Sequence, residues 1–120
     1  MTATLYAITF DCVDASRLAR FWSGVLERAV DPGATGDFAT IGLEDDAASR
    51  PHWMFIRVPE SKELKNRVHV DLIAADLDAE VGRVVRLGAS RRADLEEAGN
   101  RWITLVDPEG NEFDIVAEQG

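Results

Sequence analysis

Polar and apolar residues change their spacing twice within the first 26 positions of the chain. Leu5 to Cys12 is rich in apolar and β-branched residues, which favours a β-strand. Asp14 follows as a helix N-cap, and the next apolar residues recur every three or four positions. They are Leu18, Phe21, Trp22, Val25 and Leu26. The pattern predicts a strand that leads into an amphipathic helix.

The same order of elements returns in the second half of the chain. Val68 to Ile73 is strand-like, Asp76 is a second N-cap, and Gly88 supplies a helix stop. The apolar face of this helix is formed by Leu77, Val81, Val84 and Val85. Because Asp76 follows Asp14 by 62 positions and each cap follows a strand, we interpret the chain as an internal duplication.

Short extended segments follow each predicted helix. They are Phe38–Leu43 and Trp53–Val58 in the first half, and Trp102–Val106 and Phe113–Val116 in the second. Asp107 to Asn111 combines Pro and Gly, so the last two strands should form a hairpin. Glu44 to Pro51 is polar and predicts an exposed loop. Neither half can bury its sheet alone, which predicts an α+β fold with a shared core.

Length and composition limit the class of protein. The 120 residues suit a single domain, 1–120, and 46% hydrophobic residues predict a folded chain. The net charge of −9 opposes binding to nucleic acid, whose phosphates need clustered basic residues. No apolar run reaches the length of a bilayer, and the lone Cys12 cannot form an internal disulfide. We therefore expect a cytoplasmic protein with no membrane partner.

Strand alternation predicts a polar sheet face. If Ile8, Phe10, Val70 and Leu72 meet the helices, the opposite face carries Ala7, Thr9, Asp11, His69, Asp71 and Ile73. On the last strand, Phe113 and Ile115 would face the helix and Asp114 the polar side. Trp102 is a candidate wall for a ligand, because an indole offers broad apolar contact with a polar edge. Trp22 and Trp53 are assigned to the core.

Three sequence segments together resemble the vicinal-oxygen-chelate superfamily, which includes glyoxalase I, extradiol dioxygenases and bleomycin-resistance proteins. They are Phe10-Asp11-Cys12-Val13-Asp14 before Arg17–Trp22, His69-Val70-Asp71-Leu72 before Asp76-Leu77-Asp78, and Asp107–Asp114. The resemblance covers nearly the whole chain. It implies two βαβββ modules, about 1–60 and 67–120, that form a curved, cup-shaped mixed sheet. The helices would cover the convex face, and a homodimer would be common.

The resemblance also implies metal ligands on the first and last strand of each module. In the second module these positions are His69, seven residues before Asp76, and Asp114. In the first module they are Ala7 and Ile56, and neither side chain can donate a lone pair to a metal. No cofactor is therefore assigned with certainty. A divalent metal held by His69 and Asp114 alone would be weakly retained.

Three functions remain open for this sequence. We place first a small-molecule-binding protein without a complete metal site, with Thr9, Asp11, Asp71 and Trp102 as binding residues. The second is a divalent-metal-dependent lyase, isomerase or dioxygenase with His69 and Asp114 as catalytic residues and ligands. The third is a non-catalytic interaction module. His69 has three readings of its own: metal ligand, general acid or base, or structural histidine.

Overall fold

The computed structural model describes residues 2–43 and 51–119, which form two helices and seven strands. In chain order they are β1 (Ala7–Cys12), α1 (Ala15–Leu26), β2 (Phe38–Ile41), β3 (His52–Arg57), β4 (Val70–Ala74), α2 (Leu77–Leu87), β5 (Ser90–Glu97), β6 (Asn100–Val106) and β7 (Glu112–Ala117). The chain divides into two compact units, Met1–Ser61 and Lys62–Gly120. Most of the loop predicted at Glu44 to Pro51 lies outside the described residues.

The first unit is a three-stranded mixed sheet covered by α1. The strand order is β1-β3-β2, with β1 parallel and β2 antiparallel to β3. The carboxylate of Asp14 accepts a hydrogen bond from the backbone N–H of Arg17 at 3.2 Å, which confirms the predicted cap. Beyond β2, Val30 forms an isolated antiparallel bridge with Ile41. This bridge stands where the second unit has a full outer strand.

Aromatic side chains fill the core of the first unit. Trp22 of α1 and Phe55 of β3 are fully buried. The ring of Phe10 lies 5.5 Å from Trp22 and 5.7 Å from Trp53, centroid to centroid. The predictions that Phe10 faces the helix and that Trp22 and Trp53 belong to the core are confirmed.

The second unit is a four-stranded mixed sheet covered by α2. The strand order is β4-β7-β6-β5; β4 runs parallel to β7, and the other neighbours are antiparallel. The carboxylate of Asp76 caps α2 by accepting from the N–H of Ala79 at 3.1 Å. Gly88 ends the helix with a φ of 129°, a conformation that glycine adopts without strain. The buried contacts of this core come from Leu77, Val81, Val84, Ile103, Leu105, Phe113 and Ile115.

The predicted hairpin between the last two strands is confirmed. Gly110 N–H donates to the carbonyl of Asp107 at 2.9 Å, and Asn111 N–H donates to the Asp107 carboxylate at 3.0 Å. The side chain of Asp107 is buried, so these bonds satisfy a group that would otherwise be costly to desolvate. The turn fixes where β7 begins and hence where Asp114 stands.

The apolar pattern of the sequence did not locate one strand, β5, although the βαβββ order implied by the resemblance includes a strand directly after α2. All eight residues of β5 are exposed. An outer strand that packs little on either face needs no apolar alternation, which is the signal that strand prediction depends on.

The observed architecture otherwise agrees with prediction: an α+β fold of two open, mixed sheets, each with one helix. Neither helix in the described part of the chain has the length and hydrophobicity that crossing a bilayer requires.

Candidate functional site

The face of the second sheet that lies opposite α2 carries a row of polar residues across neighbouring strands. Asp71 of β4 pairs with Asp114 of β7, and Asp114 pairs with Thr104 of β6. Ala93 of β5 completes this row, which we call the polar row. The predicted orientation of Asp114, away from the buried Phe113 on the helix side, agrees with its half-buried environment.

His69 joins this row from the residue just before β4. Its ring Nδ1 lies 2.9 Å from Asp71 Oδ1 and 3.6 Å from Asp114 Oδ2. One ligand atom from each of these three side chains falls within 4.8 Å of the others. We call His69, Asp71 and Asp114 the donor cluster. Their side chains are 45%, 55% and 15% exposed, so the donor cluster is open to solvent.

The short contact to Asp71 indicates which nitrogen of the His69 ring carries a hydrogen. An ionised carboxylate can only accept hydrogen bonds, so the 2.9 Å contact requires the proton on Nδ1. In the neutral imidazole, Nε2 then carries the lone pair. Asp71 therefore orients the ring and leaves Nε2 able to accept a proton or bind a cation.

Thr104 was not predicted as a site residue, and the structure places it in contact with the donor cluster. Its hydroxyl donates to Asp114 Oδ1 at 2.6 Å, whereas Oδ2 of the same carboxylate is the oxygen nearest His69. This hydrogen bond from Thr104 thus fixes the orientation of the Asp114 carboxylate. Its position opposite Asp114 on β6 depends on the register of the hairpin, which a single-residue reading of the sequence does not supply.

A row of apolar residues runs beside the polar row on the same face. It consists of Ile73, Val116, Trp102 and Leu95, paired across all four strands. We call it the apolar row. Ile73 is 70% exposed and Leu95 is 38% exposed, while Trp102 and Val116 are half-buried. Trp102, predicted as a ligand wall, therefore stands two residues along β6 from Thr104.

The segment that leads into His69 is tied to the start of β7. Asn66 N–H donates to Glu112 Oε1 at 3.1 Å, and its side-chain amide donates to the Glu112 carbonyl at 3.2 Å. Lys62 Nζ lies 3.1 Å from the same carboxylate oxygen. Burial opposes ionisation of Glu112, but the Asn66 N–H and the Lys62 ammonium hold its pKa below the ordinary value. This tether restrains the backbone three residues before His69.

Thr9 and Asp11, predicted as binding residues, lie on β1 in the first unit, and both are exposed. Whether they share one site with the donor cluster stays a prediction.

Thr9 pairs with Met54 on β3, just as Asp71 pairs with Asp114 on β7. Met54, not Ile56, is therefore the counterpart of Asp114. The assignment of Ile56 is wrong by two residues because sequence spacing alone does not fix the register of paired strands.

The composition of the donor cluster fits a divalent metal ion. Imidazole nitrogen and carboxylate oxygen are both common ligands of such ions, and three protein ligands leave further positions for water or substrate. The sequence analysis proposed His69 and Asp114 as metal ligands and assigned Asp71 to binding of a small molecule instead. The side chains that correspond in the first unit, Ala7, Thr9 and Met54, supply no comparable set of metal ligands.

Comparison with known proteins relates this arrangement to one family. The sequence profile of the family described as "Glyoxalase-like domain" matches residues 7–116. No curated protein sequence matches the chain significantly.

Solved structures share the fold at low sequence identity. A glyoxalase/bleomycin resistance protein/dioxygenase family enzyme from Burkholderia phytofirmans PsJN aligns with a TM-score of 0.75 at 17% identity, covering 96% of this chain and 98% of that one. A mutant of the fosfomycin resistance protein FosX from Listeria monocytogenes, in complex with Mn(II) and 1S,2S-dihydroxypropylphosphonic acid, aligns with a TM-score of 0.76 at 14% identity, covering 99% and 93%. Lactoylglutathione lyase from Agrobacterium tumefaciens gives 0.66 at 14%, covering 97% and 94%.

The family profile spans almost the entire chain, and it agrees with the repeated order of strand, helix and further strands and with the mixed sheets described above. This protein therefore belongs to the glyoxalase-like domain family of the vicinal-oxygen-chelate superfamily.

Proposed function

We propose that the open face of the second sheet binds a small organic molecule, with the donor cluster holding its polar group. The observation that carries this proposal is the convergence of His69, Asp71 and Asp114 beside the apolar row. A ligand site needs a few placed polar groups next to apolar surface, and this face offers both. A protein that only served as an interaction scaffold would be expected to have these polar groups sealed, whereas His69 and Asp71 are about half exposed.

Within this site each polar side chain has a distinct part. Asp71 orients the imidazole of His69, so that in the neutral ring Nε2 can accept a hydrogen bond from a bound hydroxyl or ammonium group. Asp114 presents Oδ2 as an acceptor while Thr104 occupies Oδ1. Trp102 supplies apolar area for the body of the ligand. Thr9 and Asp11, on β1 of the first unit, stay predicted binding residues.

The identity of the ligand is best sought by mass spectrometry on protein purified under native conditions. We expect a small molecule to co-purify with the wild-type chain and to be depleted from a Trp102→Leu variant. Asp37→Asn is the matched control, because Asp37 is an exposed carboxylate that pairs with Arg57 in the first unit. Equal recovery from the wild type and Trp102→Leu would contradict the placement of the site.

A second candidate function is favoured by the composition of the donor cluster. In a divalent-metal-dependent lyase, isomerase or dioxygenase, His69, Asp71 and Asp114 would hold the ion, and the metal would polarise a substrate oxygen. The FosX structure that shares this fold is a complex with Mn(II). With half of the ligands implied by the superfamily pattern absent from the first unit, we expect any ion to be held weakly.

Elemental analysis after incubation with Mn²⁺ and dialysis tests this alternative. We expect less than about one equivalent of metal per chain, since a site with so few protein ligands and open to water releases its ion readily. In a titration without dialysis, Asp114→Asn should weaken Mn²⁺ binding by about tenfold or more, while Asp37→Asn should leave it unchanged. Full retention after dialysis would favour the metal-dependent enzyme over the first proposal.

We also propose that the protein is a cytoplasmic homodimer. The support is its membership of a superfamily whose curved sheets commonly pair across subunits. Light scattering at micromolar concentration should give twice the mass of the chain. A monomeric mass at that concentration would refute the dimer without bearing on ligand binding.

A further inference from the structure

We infer that the ligand is a small organic cation: an amine joined by a short link to a flat apolar ring. This inference rests on the proposed function of the same face and specifies the chemical class of the molecule bound there. Two observations carry it, namely the charge of the polar row and the spacing between that row and the apolar row.

The charge of the polar row is acidic and lacks a basic counterpart. Asp71 and Asp114 are its two ionisable members, and no lysine or arginine stands at any of the eight positions of the two rows. Two basic side chains on the segment before β4 and on β6 are engaged in ion pairs with other carboxylates. Lys62 pairs with Glu112, and Arg101 pairs with Asp78 and Asp94.

An anion bound to this face without a metal would therefore meet two carboxylates, and no lysine or arginine of the two rows would compensate its charge. The net charge of −9 for the whole chain adds a long-range repulsion of the same sign. An ammonium group instead finds acceptor oxygens of Asp71 and Asp114. Charge-assisted hydrogen bonds of this kind are stronger than neutral ones.

The spacing of the two rows sets the shape of the ligand. Neighbouring strands lie about 4.8 Å apart, so the four side chains of the apolar row span about 14 Å, enough for a fused ring. Residues two apart on a strand are separated by about 7 Å, which is the distance from Trp102 to Thr104 along β6. A ligand that uses both rows therefore needs its charge roughly 7 Å from the centre of its ring.

Three naphthalene probes of one shape and different charge test this inference. They are 2-(2-naphthyl)ethylamine, 2-(2-naphthyl)ethanol and 2-naphthylacetate, the last being the carboxylate anion of 2-naphthylacetic acid. Each probe is titrated into protein kept metal-free with EDTA, and its binding is measured by calorimetry and by NMR chemical shifts. We expect the amine to bind at least about tenfold more tightly than naphthylacetate, with the alcohol between them. Higher salt should reduce this preference, because partly exposed charges are screened.

Variants assign the preference to the two rows. Asp114→Asn should remove most of the difference between amine and acetate, whereas Asp37→Asn, in the first unit, should not change it. Trp102→Leu should weaken the amine and the alcohol to a similar degree, since both use the ring surface. The NMR spectrum of each variant verifies that it is folded.

The outcomes separate this inference from the proposed function. If naphthylacetate binds as tightly as the amine and Trp102→Leu weakens both, the face binds ligands but the cationic class is wrong. If none of the probes binds, the cationic class is likewise rejected, and the proposed function is decided by the co-purification experiment. A tenfold preference that survives Asp114→Asn would also overturn the inference, because the charge would then act from another site.

Discussion

The two units of this protein share an order of elements and differ in the side chains that line the open face of each sheet. When equivalent strands of the two units are compared, Ala7 corresponds to His69, Thr9 to Asp71 and Met54 to Asp114. The first unit thus has a methyl group, a hydroxyl and a thioether where the second has an imidazole and two carboxylates. The two units thus share an order of elements, but among the described residues the cluster of possible metal ligands lies in the second unit.

A pair of threonines illustrates the difference. Thr40 stands opposite Met54 in the first unit, as Thr104 stands opposite Asp114 in the second. The hydroxyl of Thr40 donates to Asp31 at 2.6 Å, whereas that of Thr104 donates to Asp114 at the same distance. The first threonine therefore fixes the chain beside β2, and the second orients a carboxylate of the site. Threonines at corresponding positions thus contact a loop aspartate in one unit and a carboxylate of the donor cluster in the other.

The largest expected effect tests whether the two cores are equally necessary. Phe55→Ala and Phe113→Ala each remove a fully buried ring, one from each sheet, and each should lower the free energy of unfolding by about 3–5 kcal/mol. Urea denaturation measures the loss. Hydrogen exchange should show where protection falls first, which we expect to be the sheet that carries the substitution. A loss near zero for either variant would mean that its sheet does not contribute to cooperative stability.

The next largest effect is expected at the two threonines, Thr40 and Thr104. Their variants test whether one threonine acts mainly on stability and the other mainly on ligand binding. Thr40→Val removes a buried hydrogen bond to a charged group and should cost about 1.5–3 kcal/mol of stability. Thr104→Val should cost less in stability, because Thr104 is less buried than Thr40, and should instead weaken binding of 2-(2-naphthyl)ethylamine. Thermal melts and calorimetry on both variants measure these two effects. The comparison fails if Thr40→Val weakens the probe as much as Thr104→Val does.

The smallest expected effect concerns an ion-pair cluster on the helix side of the second sheet, which has no counterpart among the described ion pairs of the first. Arg101 donates to Asp94 at 2.9 Å and to Asp78 at 3.0 Å, linking β5, β6 and the first turn of α2. Hydrogen bonds from this guanidinium hold the pKa of both carboxyl groups below their usual value, and the carboxylates raise the pKa of Arg101.

Because these carboxyl groups have lower pKa values in the folded chain, the stabilisation is present above their ordinary pKa of 3.8 and is lost as the pH falls through the folded values. Arg101→Gln should therefore melt slightly below the wild type at pH 7, and the gap should close under acid. Arg92→Gln removes a charge from the same region outside this cluster and serves as control. A gap that stays constant down to pH 2 would show that Arg101 acts by packing instead.

The fold was predictable from sequence wherever one residue decides the local structure. Asp14 and Asp76 cap helices through their own side chains, and Pro108 with Gly110 defines a turn, so each could be recognised from neighbouring residues. His69 and Asp114 followed from the spacing of the superfamily pattern. Each of these features is defined by a short motif whose residues are close together in the chain.

What could not be predicted depends on strand register. Thr104 contacts Asp114 because the hairpin pairs those two positions, and Met54 replaces Ile56 as the counterpart of Asp114 for the same reason. His52 was assigned no role, yet it is buried and its ring lies 5.0 Å from that of Tyr6. A two-residue shift of register leaves the alternation of faces unchanged, so hydrophobic pattern cannot detect it.

The outer strand β5 has a consequence for how the protein behaves at high concentration. An outermost strand presents unpaired amide and carbonyl groups, which other chains can extend into fibrils. Here that border carries Arg91, Arg92, Asp94, Glu96 and Glu97, and its pairing is irregular between Arg91 and Ala93. Charge and irregular geometry both oppose the addition of a further strand. The surface that sequence patterning failed to recognise as β-structure is thus also one that discourages aggregation in a crowded cell.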